Sequence, residues 1–484
     1  MIAMKYLLNF FLIGLIVMML LTTFMNAQDI DRTKRPEGKA TPTVQLPDIQ
    51  KAKLKNGLQV WLVERHNLPT VAFNLVIQAG SDHDPLNMTG LASMTADVID
   101  EGTKMRDALK ISDDIESIGA SFNVGSSWDG TFMSLSCLSK YIDKGLDIFA
   151  DVLVNPVFPQ KEFERLQKQR LTSLLQQKDQ AVMIANNSFS AILYGSSHPY
   201  GNNPSGTEAS VKGMTTGDLQ KFYQTNYRPN NATLIIVGDV KMDDILPQLE
   251  QLMADWNPAV VPSFSVPAPP VIEKRKIYLI DKPGAAQSEI RIGYPALPRS
   301  TPEFFPVQVM NRMLGGQFMS RINLNLREKH GFTYGARSSF NFQKGAGPFT
   351  ASAGVHTAKT DSSVQEFLAE IKLMYDKGMT AEELEFVKKG LIGGFALSFE
   401  TSSQIAGALQ SIVLYGLPED YFNNYLQNYE KVTLQDVADI SKKYLDVSHM
   451  AVVVVGDVEK IKNGVKALNA GDVIFCDLDG KEIK

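Results

Sequence analysis

The sequence repeats itself once, and this repeat limits the fold more than any other feature. One half closes on an apolar run that ends at Gly238, and a matching run ends at Gly456. The two glycines are 218 positions apart (456 − 238), and the strand-like segments that open the halves, at Trp61 and Ile277, are 216 apart (277 − 61). A nearly constant offset at both ends of so long a unit indicates a duplication rather than two strand ends that happen to look alike.

The repeat predicts the domain organisation and the fold class. At 484 residues the chain is too long for one ordinary core. Each half opens with two strand-like runs, continues through helical segments and closes on an apolar strand, which predicts an α+β fold with helices packed on a mostly antiparallel sheet. The predicted opening strands are residues 58–63, 71–78, 277–280 and 288–293.

The predicted domains are residues 49–257 and 272–470. The linker between them, residues 258–271, contains five prolines, which exclude a helix and favour an extended, semi-stiff connector. Residues 28–48 are polar and proline-bearing, so we expect an exposed lead-in. Residues 471–484 are predicted to form a C-terminal tail.

Residues 1–27 have the order of a secretory signal peptide. Lys5 precedes an apolar run to Leu21, and Ala27 is a plausible last residue before cleavage. Met25 is unusual near such a cleavage point, which leaves an uncleaved membrane anchor as an alternative. Both interpretations predict export to the periplasm or another extracytoplasmic space.

Composition excludes some functions and supplies few metal ligands. A formal charge of −5 and a pI near 5.8 give no basic field for nucleic acid. The two cysteines, Cys137 and Cys476, cannot form a disulfide framework. The chain has six histidines, and the closest pair, His66 and His83, is 17 positions apart. No phosphate loop and no local Ser–His–Asp or Cys–His signature is present.

A series of short motifs runs through nearly all of the chain after residue 48. In order they are Asn56-Gly57-Leu58, Gly90-Leu91-Ala92, Glu101-Gly102-Thr103, His198-Pro199-Tyr200-Gly201, Tyr227-Arg228-Pro229-Asn230, Leu314-Gly315-Gly316 and Leu326-Arg327-Glu328 followed by Gly331 and Tyr334-Gly335. Together they resemble the M16 (insulinase-type) zinc peptidases, and specifically the short bacterial M16B members that work as dimers. The resemblance implies a clam-like arrangement of two M16 domains and an activity in peptide hydrolysis.

The zinc motif of that family, H-x-x-E-H, is substituted at every functional position. In the family, two imidazoles one helical turn apart bind Zn²⁺, a glutamate acts as general base, and a carboxylate about 76 residues later is the third ligand. The resemblance assigns Ser93 and Asp97 to the histidine positions, Ala96 to the base and Ser173 to the third ligand. We therefore expect no zinc in this chain, and the spacing of the histidines means that no shift of register restores the motif. A site assembled from separated histidines is an alternative, and a structural role for each histidine is the favoured interpretation.

A second family element, L-R-E-x-x-G-x-x-Y-G, is retained. Arg327 and Tyr334 match it in identity and spacing. The resemblance implies that this pair lies across the cavity from zinc, binds the substrate backbone and helps to stabilise the oxyanion. The pattern alone also allows a surface arginine at a helix end and a tyrosine beside a glycine turn. The glycine loop at Leu314–Phe318 likewise either admits a peptide or simply ends a helix.

The sequence thus predicts an exported, non-catalytic subunit of an M16B zinc peptidase. It would bind peptide substrate and supply Arg327 and Tyr334 in trans to a partner that carries H-x-x-E-H and the zinc, most simply as a heterodimer. The alternative is a structural or peptide-binding M16-like protein with no role in hydrolysis. An enzyme active on its own is a third, less favoured interpretation.

Overall fold

The computed structural model describes residues 48–483. The predicted signal peptide and nearly all of the predicted lead-in lie outside the described residues. Within 48–483, no helix combines the length and the apolar character that a membrane crossing requires. The described residues belong to one compact unit.

Two six-stranded sheets of the same plan account for the strands in residues 48–483. The first sheet has the order β1-β2-β6-β3-β5-β4, and its strands are β1 (Gln50–Lys53), β2 (Gln59–Glu64), β3 (Thr70–Ile77), β4 (Ser121–Ser126), β5 (Thr131–Leu138) and β6 (Ala232–Gly238). The second has the order β12-β7-β11-β8-β10-β9, and its strands are β7 (Lys276–Asp281), β8 (Gln287–Leu297), β9 (Thr333–Phe340), β10 (Gly347–His356), β11 (Ala451–Gly456) and β12 (Asp472–Cys476). The predicted α+β fold with two duplicated halves is confirmed.

The closing strand of each half lies between its two opening strands. β6 is parallel to β2 and antiparallel to β3, and β11 is likewise parallel to β7 and antiparallel to β8. The remaining pairs β3–β5, β5–β4, β8–β10 and β10–β9 are antiparallel. Both sheets are therefore mostly antiparallel, as predicted. The apolar runs that carry the repeat are buried because they form the centre of each sheet.

The two sheets differ at one edge. β1 precedes β2 in the chain and pairs with it antiparallel, whereas β12 comes from the C-terminus and pairs with β7 parallel. The sequence predicted a tail from residue 471, and the structure instead places Asp472–Cys476 in the sheet. The repeat could not reveal this strand because its counterpart in the first half lies at the opposite end of the unit.

The helices cover both faces of each sheet. They are α1 (Leu91–Val98), α2 (Ala108–Ser117), α3 (Ile142–Val154), α4 (Gln160–Gln177), α5 (Ala181–Tyr194), α6 (Glu208–Gly213), α7 (Thr216–Asn226), α8 (Met242–Leu252), α9 (Phe304–Leu314), α10 (Arg321–Asn323, continued by a π-helical turn at Leu324–Lys329), α11 (Thr360–Lys377), α12 (Ala381–Phe395), α13 (Ser402–Tyr415), α14 (Tyr425–Lys431), α15 (Leu434–Tyr444) and α16 (Val458–Ala467).

One helix of each half packs on the sheet of the other half. α5 lies on β8 and β11 of the second sheet, and α13 lies on β3 and β6 of the first. The α5 contact buries Ile184 and Phe189, and the α13 contact buries Ile405, Leu409 and Ile412. Full burial of such a side chain contributes about 1.5–3 kcal/mol. The exchange of α5 and α13 therefore joins the two halves through buried apolar contacts, in addition to the covalent linker.

The linker runs along the junction between the halves. Residues 258–271 form neither helix nor strand, as their prolines require. Asn230 donates a hydrogen bond to the carbonyl of Ala259 (2.9 Å), and His198 Nε2 donates to that of Pro267 (3.0 Å). Burial lowers the pKa of His198, so this histidine is a neutral structural residue at neutral pH.

Candidate functional site

The helix at the substituted zinc motif, α1, is fixed by its N-terminus and its apolar side. Gly90 precedes it in the left-handed region (φ 91°). The Asp84 carboxylate accepts hydrogen bonds from the backbone N–H groups of Gly90 (2.7 Å) and Ala92 (2.8 Å), as expected for an acid at a helix N-terminus. Met94 and Val98 are buried in the core, and α1 also packs against α4.

An arginine joins the two positions that hold histidine in the zinc motif. Arg170, on α4, donates through Nη2 to Ser93 Oγ (3.0 Å) and to the Asp97 carboxylate. Its Nη1 donates to the carbonyl of Ser205 (2.9 Å). The arginine side chain is 12% exposed. A guanidinium therefore provides the positive charge here and ties α1 to α4 and to the loop at Ser205.

Ser173, the predicted third position, lies one turn after Arg170 on α4. It borders a cavity of about 430 Å³ together with Ala96, Asp97 and Val124. The structure thus places three of the four predicted motif positions, Ala96, Asp97 and Ser173, on one cavity. The donor set of the four positions does not fit Zn²⁺, because it offers two hydroxyls and one carboxylate that is already paired with a cation. Among residues 48–483, no group of three or more His, Cys, Asp or Glu side chains could hold a metal ion.

The same cavity contains a carboxyl group that resists ionisation. Burial, together with the nearby charges of Glu101 and Asp97, raises the pKa of Asp100 to about 6. The first-half site therefore has an acidic wall that Arg170 compensates only in part.

Arg327 lies in the π-helical turn that ends α10. Its guanidinium carbon is 4.6 Å from the centre of the Phe318 ring, and its Nε is 3.2 Å from the carboxylate of its neighbour Glu328. The side chain is 38% exposed. π-Helical turns occur frequently at functional sites. The arginine is thus oriented by a stacked ring and remains open to solvent.

Tyr334 follows the turn after this helix and is the second residue of the edge strand β9. Gly331 has a left-handed backbone (φ 63°), and its N–H donates to the Arg327 carbonyl (3.1 Å) while that of Phe332 donates to Leu326 (2.8 Å). Tyr334 is 84% exposed. One short, hydrogen-bonded turn therefore connects the two retained residues.

The glycine loop before this turn has a packing role. Gly315 ends α9, and a Cβ at this position would lie 2.3 Å from the backbone nitrogen of Ser338 on β9. The loop then presents Phe318 and Met319, which are 57% and 49% exposed. Phe318 contacts the Arg327 guanidinium, and these two residues together with the exposed Met319 and Tyr334 are hereafter called the Arg327 patch.

Sequence reasoning missed Arg170 altogether, and it named the loop that contains Phe318 without its contact to Arg327. The sequence did contain a signal for Arg170. Without a metal, the Asp97 carboxylate requires another positive partner, and Arg170 is a cation one helical turn before Ser173. The histidines serve local contacts, such as His66 with Asp239 (2.7 Å) and His83 with Asp82 (2.6 Å).

Comparison with known proteins identifies relatives over most of the chain. The family model described as insulinase (peptidase family M16) matches residues 59–197, and that described as the peptidase M16 inactive domain matches residues 213–391. A Helicobacter pylori protein named "Non-peptidase homolog YmxG" is 26% identical over 400 residues, which cover 82% of this chain and 92% of that protein.

Solved structures agree with this similarity. The peptidase M16 inactive domain from Pseudomonas fluorescens has a TM-score of 0.80 at 27% identity, over 84% of this chain and 98% of that one. A Helicobacter pylori protease has the same TM-score at 20% identity, over 85% of this chain and all of that one, which shows the fold alone.

Proposed function

The chain belongs to the M16 peptidase family, and we propose that it is a non-catalytic, substrate-binding subunit of an M16B zinc peptidase. Its partner would be a separate chain that carries H-x-x-E-H and binds the zinc. This chain would supply Arg327 and Tyr334 in trans to peptide hydrolysis. We also propose export, from the sequence of residues 1–27 alone.

One contrast carries the proposal. The first-half site has its cation, Arg170, bound to groups of its own chain, whereas the Arg327 patch leaves a guanidinium and a phenol facing solvent. A guanidinium is always charged and a phenol is a neutral donor near pH 7, so both can donate to a peptide carbonyl and to the oxyanion that develops during hydrolysis.

A free sheet edge supports the binding of extended peptide. β4 pairs with β5 on one side, and within residues 48–483 no strand pairs with its other side. Val124 on this strand borders the first-half cavity, so a peptide added to β4 would pass the substituted zinc position. Strand addition derives affinity from main-chain hydrogen bonds and tolerates varied sequences.

The proposal is tested by reconstitution. The purified chain is mixed with an H-x-x-E-H chain of the M16B type, and cleavage of a fluorogenic peptide is followed. We expect Arg327→Ala or Tyr334→Phe to lower kcat/KM by about 10²–10³-fold, the usual cost of losing one oxyanion donor. Arg337→Ala, an exposed cation on the same strand, is the matched control and should leave kcat/KM within about twofold.

Co-elution on size exclusion separates the outcomes. If the complex forms and both variants retain full activity, the role of Arg327 and Tyr334 in hydrolysis is disproved. That result favours the second candidate, an M16-like structural or peptide-binding protein, to which the name of the Helicobacter pylori relative lends support.

A further inference from the structure

A second cavity lies at the junction of the two halves, apart from both sites described above. It has a volume of about 550 Å³, within the usual range for small-ligand sites. Asp82 and Gln78 come from the first half, Lys344 from the second, and the linker around Phe264 covers it. We call it the junction cavity.

Asp82 is a buried carboxylate with one oxygen unused. Its Oδ1 accepts hydrogen bonds from the Gly80 backbone (3.0 Å) and from His83 Nδ1 (2.6 Å). Its Oδ2 has no hydrogen-bond partner within residues 48–483, although the residue is only 2% exposed. An unsatisfied buried carboxylate oxygen is costly, and a bound donor would remove that cost.

Two amides present further acceptors to the junction cavity. Gln78 Nε2 donates to the carbonyl of Val413 (2.8 Å), and Asn231 Nδ2 donates to that of Asn226 (3.0 Å). These bonds fix the orientation of the two amides, and within residues 48–483 no hydrogen bond reaches their side-chain oxygens, which are left for a ligand. Three acceptor oxygens, those of Asp82, Gln78 and Asn231, therefore line one cavity, and they suit a primary ammonium group.

Lys344 supplies the opposite charge, on a loop held against the first half. Its backbone N–H donates to the Asp129 carboxylate (2.9 Å), and the next N–H, of Gly345, donates to Tyr200 Oη (3.0 Å). Tyr200 in turn donates to Asp129. The Lys344 ammonium itself donates to the backbone carbonyl of Asp129 (2.5 Å), which fixes it at the cavity wall and uses one of its three N–H donors.

We propose that the junction cavity binds a small zwitterion, namely a free α-amino acid or a dipeptide. The ligand's ammonium would contact Asp82, Gln78 and Asn231, and its carboxylate would contact Lys344. A ligand with only a positive charge would be repelled by Lys344, and one with only a negative charge by Asp82. The proposal is independent of the peptidase role proposed above.

Calorimetric titration of the full chain with glycylglycine tests this site. We expect a Kd below about 1 mM, and binding at least about tenfold weaker for N-acetylglycylglycine, which lacks the ammonium, and for glycylglycinamide, which lacks the carboxylate. No binding of glycylglycine at about 10 mM, or equal affinity for all three probes, would overturn the proposal.

Substitutions of Asp82 and Lys344 test which residue contacts the ammonium of the ligand and which contacts its carboxylate. Asp82→Asn should weaken the binding of glycylglycine at least about tenfold. Lys344→Met should weaken it to the same extent, but should not further weaken the binding of glycylglycinamide, which has no carboxylate. Asp179→Asn, at an exposed carboxylate in a different ion pair, is the matched control and should change nothing. If Asp82→Asn does not fold, Phe264→Ala on the exposed linker takes its place. Phe264→Ala should weaken the binding of glycylglycine without lowering Tm. An unchanged affinity in this variant would contradict the proposed site.

Discussion

The two functional regions of this chain treat their arginines in opposite ways. Arg170 in the first half is 12% exposed and donates to three oxygens of its own chain. Arg327 in the second half is 38% exposed, and its ion pair in the described structure is with its sequence neighbour. The first arginine is part of the framework, whereas the second is available to another molecule.

We interpret this difference through the zinc-motif assignment made from the sequence. That motif implies a divalent cation that holds groups from two helices together. Here the Arg170 guanidinium on α4 connects that helix to α1 through Ser93 and Asp97. The first half therefore has a link between the two helices but, at the motif positions, no group that could activate water. We therefore expect substitution of Arg170 to lower mainly stability, and substitution of Arg327 to lower mainly activity.

The largest expected effect comes from rebuilding the metal site. A variant with Ser93→His, Ala96→Glu, Asp97→His and Ser173→Glu should bind zinc poorly, because Arg170 remains at the site. Adding Arg170→Leu should raise zinc affinity at least about 10³-fold, since two unit charges about 4 Å apart cost about 4 kcal/mol at an effective dielectric constant of 20. Zinc titration with a competing chelator measures the difference.

The single variant Arg170→Leu is the control and should not gain a zinc site. Equal zinc affinity with and without Arg170 would mean that the arginine does not stand in for the metal, and the comparison between the two regions would lose its basis.

The next effect is on stability. Arg170→Met should lower the free energy of unfolding by about 2–3 kcal/mol, between the values for exposed and buried ion pairs, because it leaves Asp97 and Ser205 unpaired. Arg327→Met should change it by less than about 0.5 kcal/mol. Urea unfolding of both variants measures the two changes in the free energy of unfolding. Similar decreases for the two variants would contradict the proposed difference between Arg170 and Arg327.

Much of the fold followed from the sequence because the repeat and the apolar runs report burial. The strands that end at Gly238 and Gly456 were predicted on that ground, and the positions of Ser93, Ala96, Asp97 and Ser173 from the family motif. The exchange of α5 and α13 between the halves was not predicted. Hydrophobic periodicity reveals that a helix has a buried face, but not which sheet that face covers.

The site was predicted less completely for the same reason. Arg170 and Phe318 act through contacts between segments far apart in sequence or across a loop. Neither belongs to the motifs that carried the resemblance, so only the folded chain connects them to Asp97 and Arg327.

A smaller effect concerns the pH dependence of the first-half cavity. Asp100 has its pKa raised to about 6 by burial, against about 4 in an unfolded chain. Between these values the folded state holds more protons, so this residue lowers stability as pH rises from about 4 to 6. Asp100→Asn should therefore gain about 2–3 kcal/mol at pH 7 and almost nothing at pH 4. Urea unfolding at both values checks this, and an equal gain at both would assign the effect to packing.

The smallest effect isolates the ring beneath Arg327. Phe318→Leu keeps apolar bulk at an exposed position but removes a cation–π contact worth about 0.5–1 kcal/mol. Because the contact orients the guanidinium without supplying a donor, we expect kcat/KM of the reconstituted complex to fall only about two- to fivefold. Phe386→Leu, at an exposed phenylalanine on α12, is the control and should leave it unchanged. A loss as large as that of Arg327→Ala would mean that Phe318 itself contacts the peptide, and the Arg327 patch would then bind substrate by its aromatic surface.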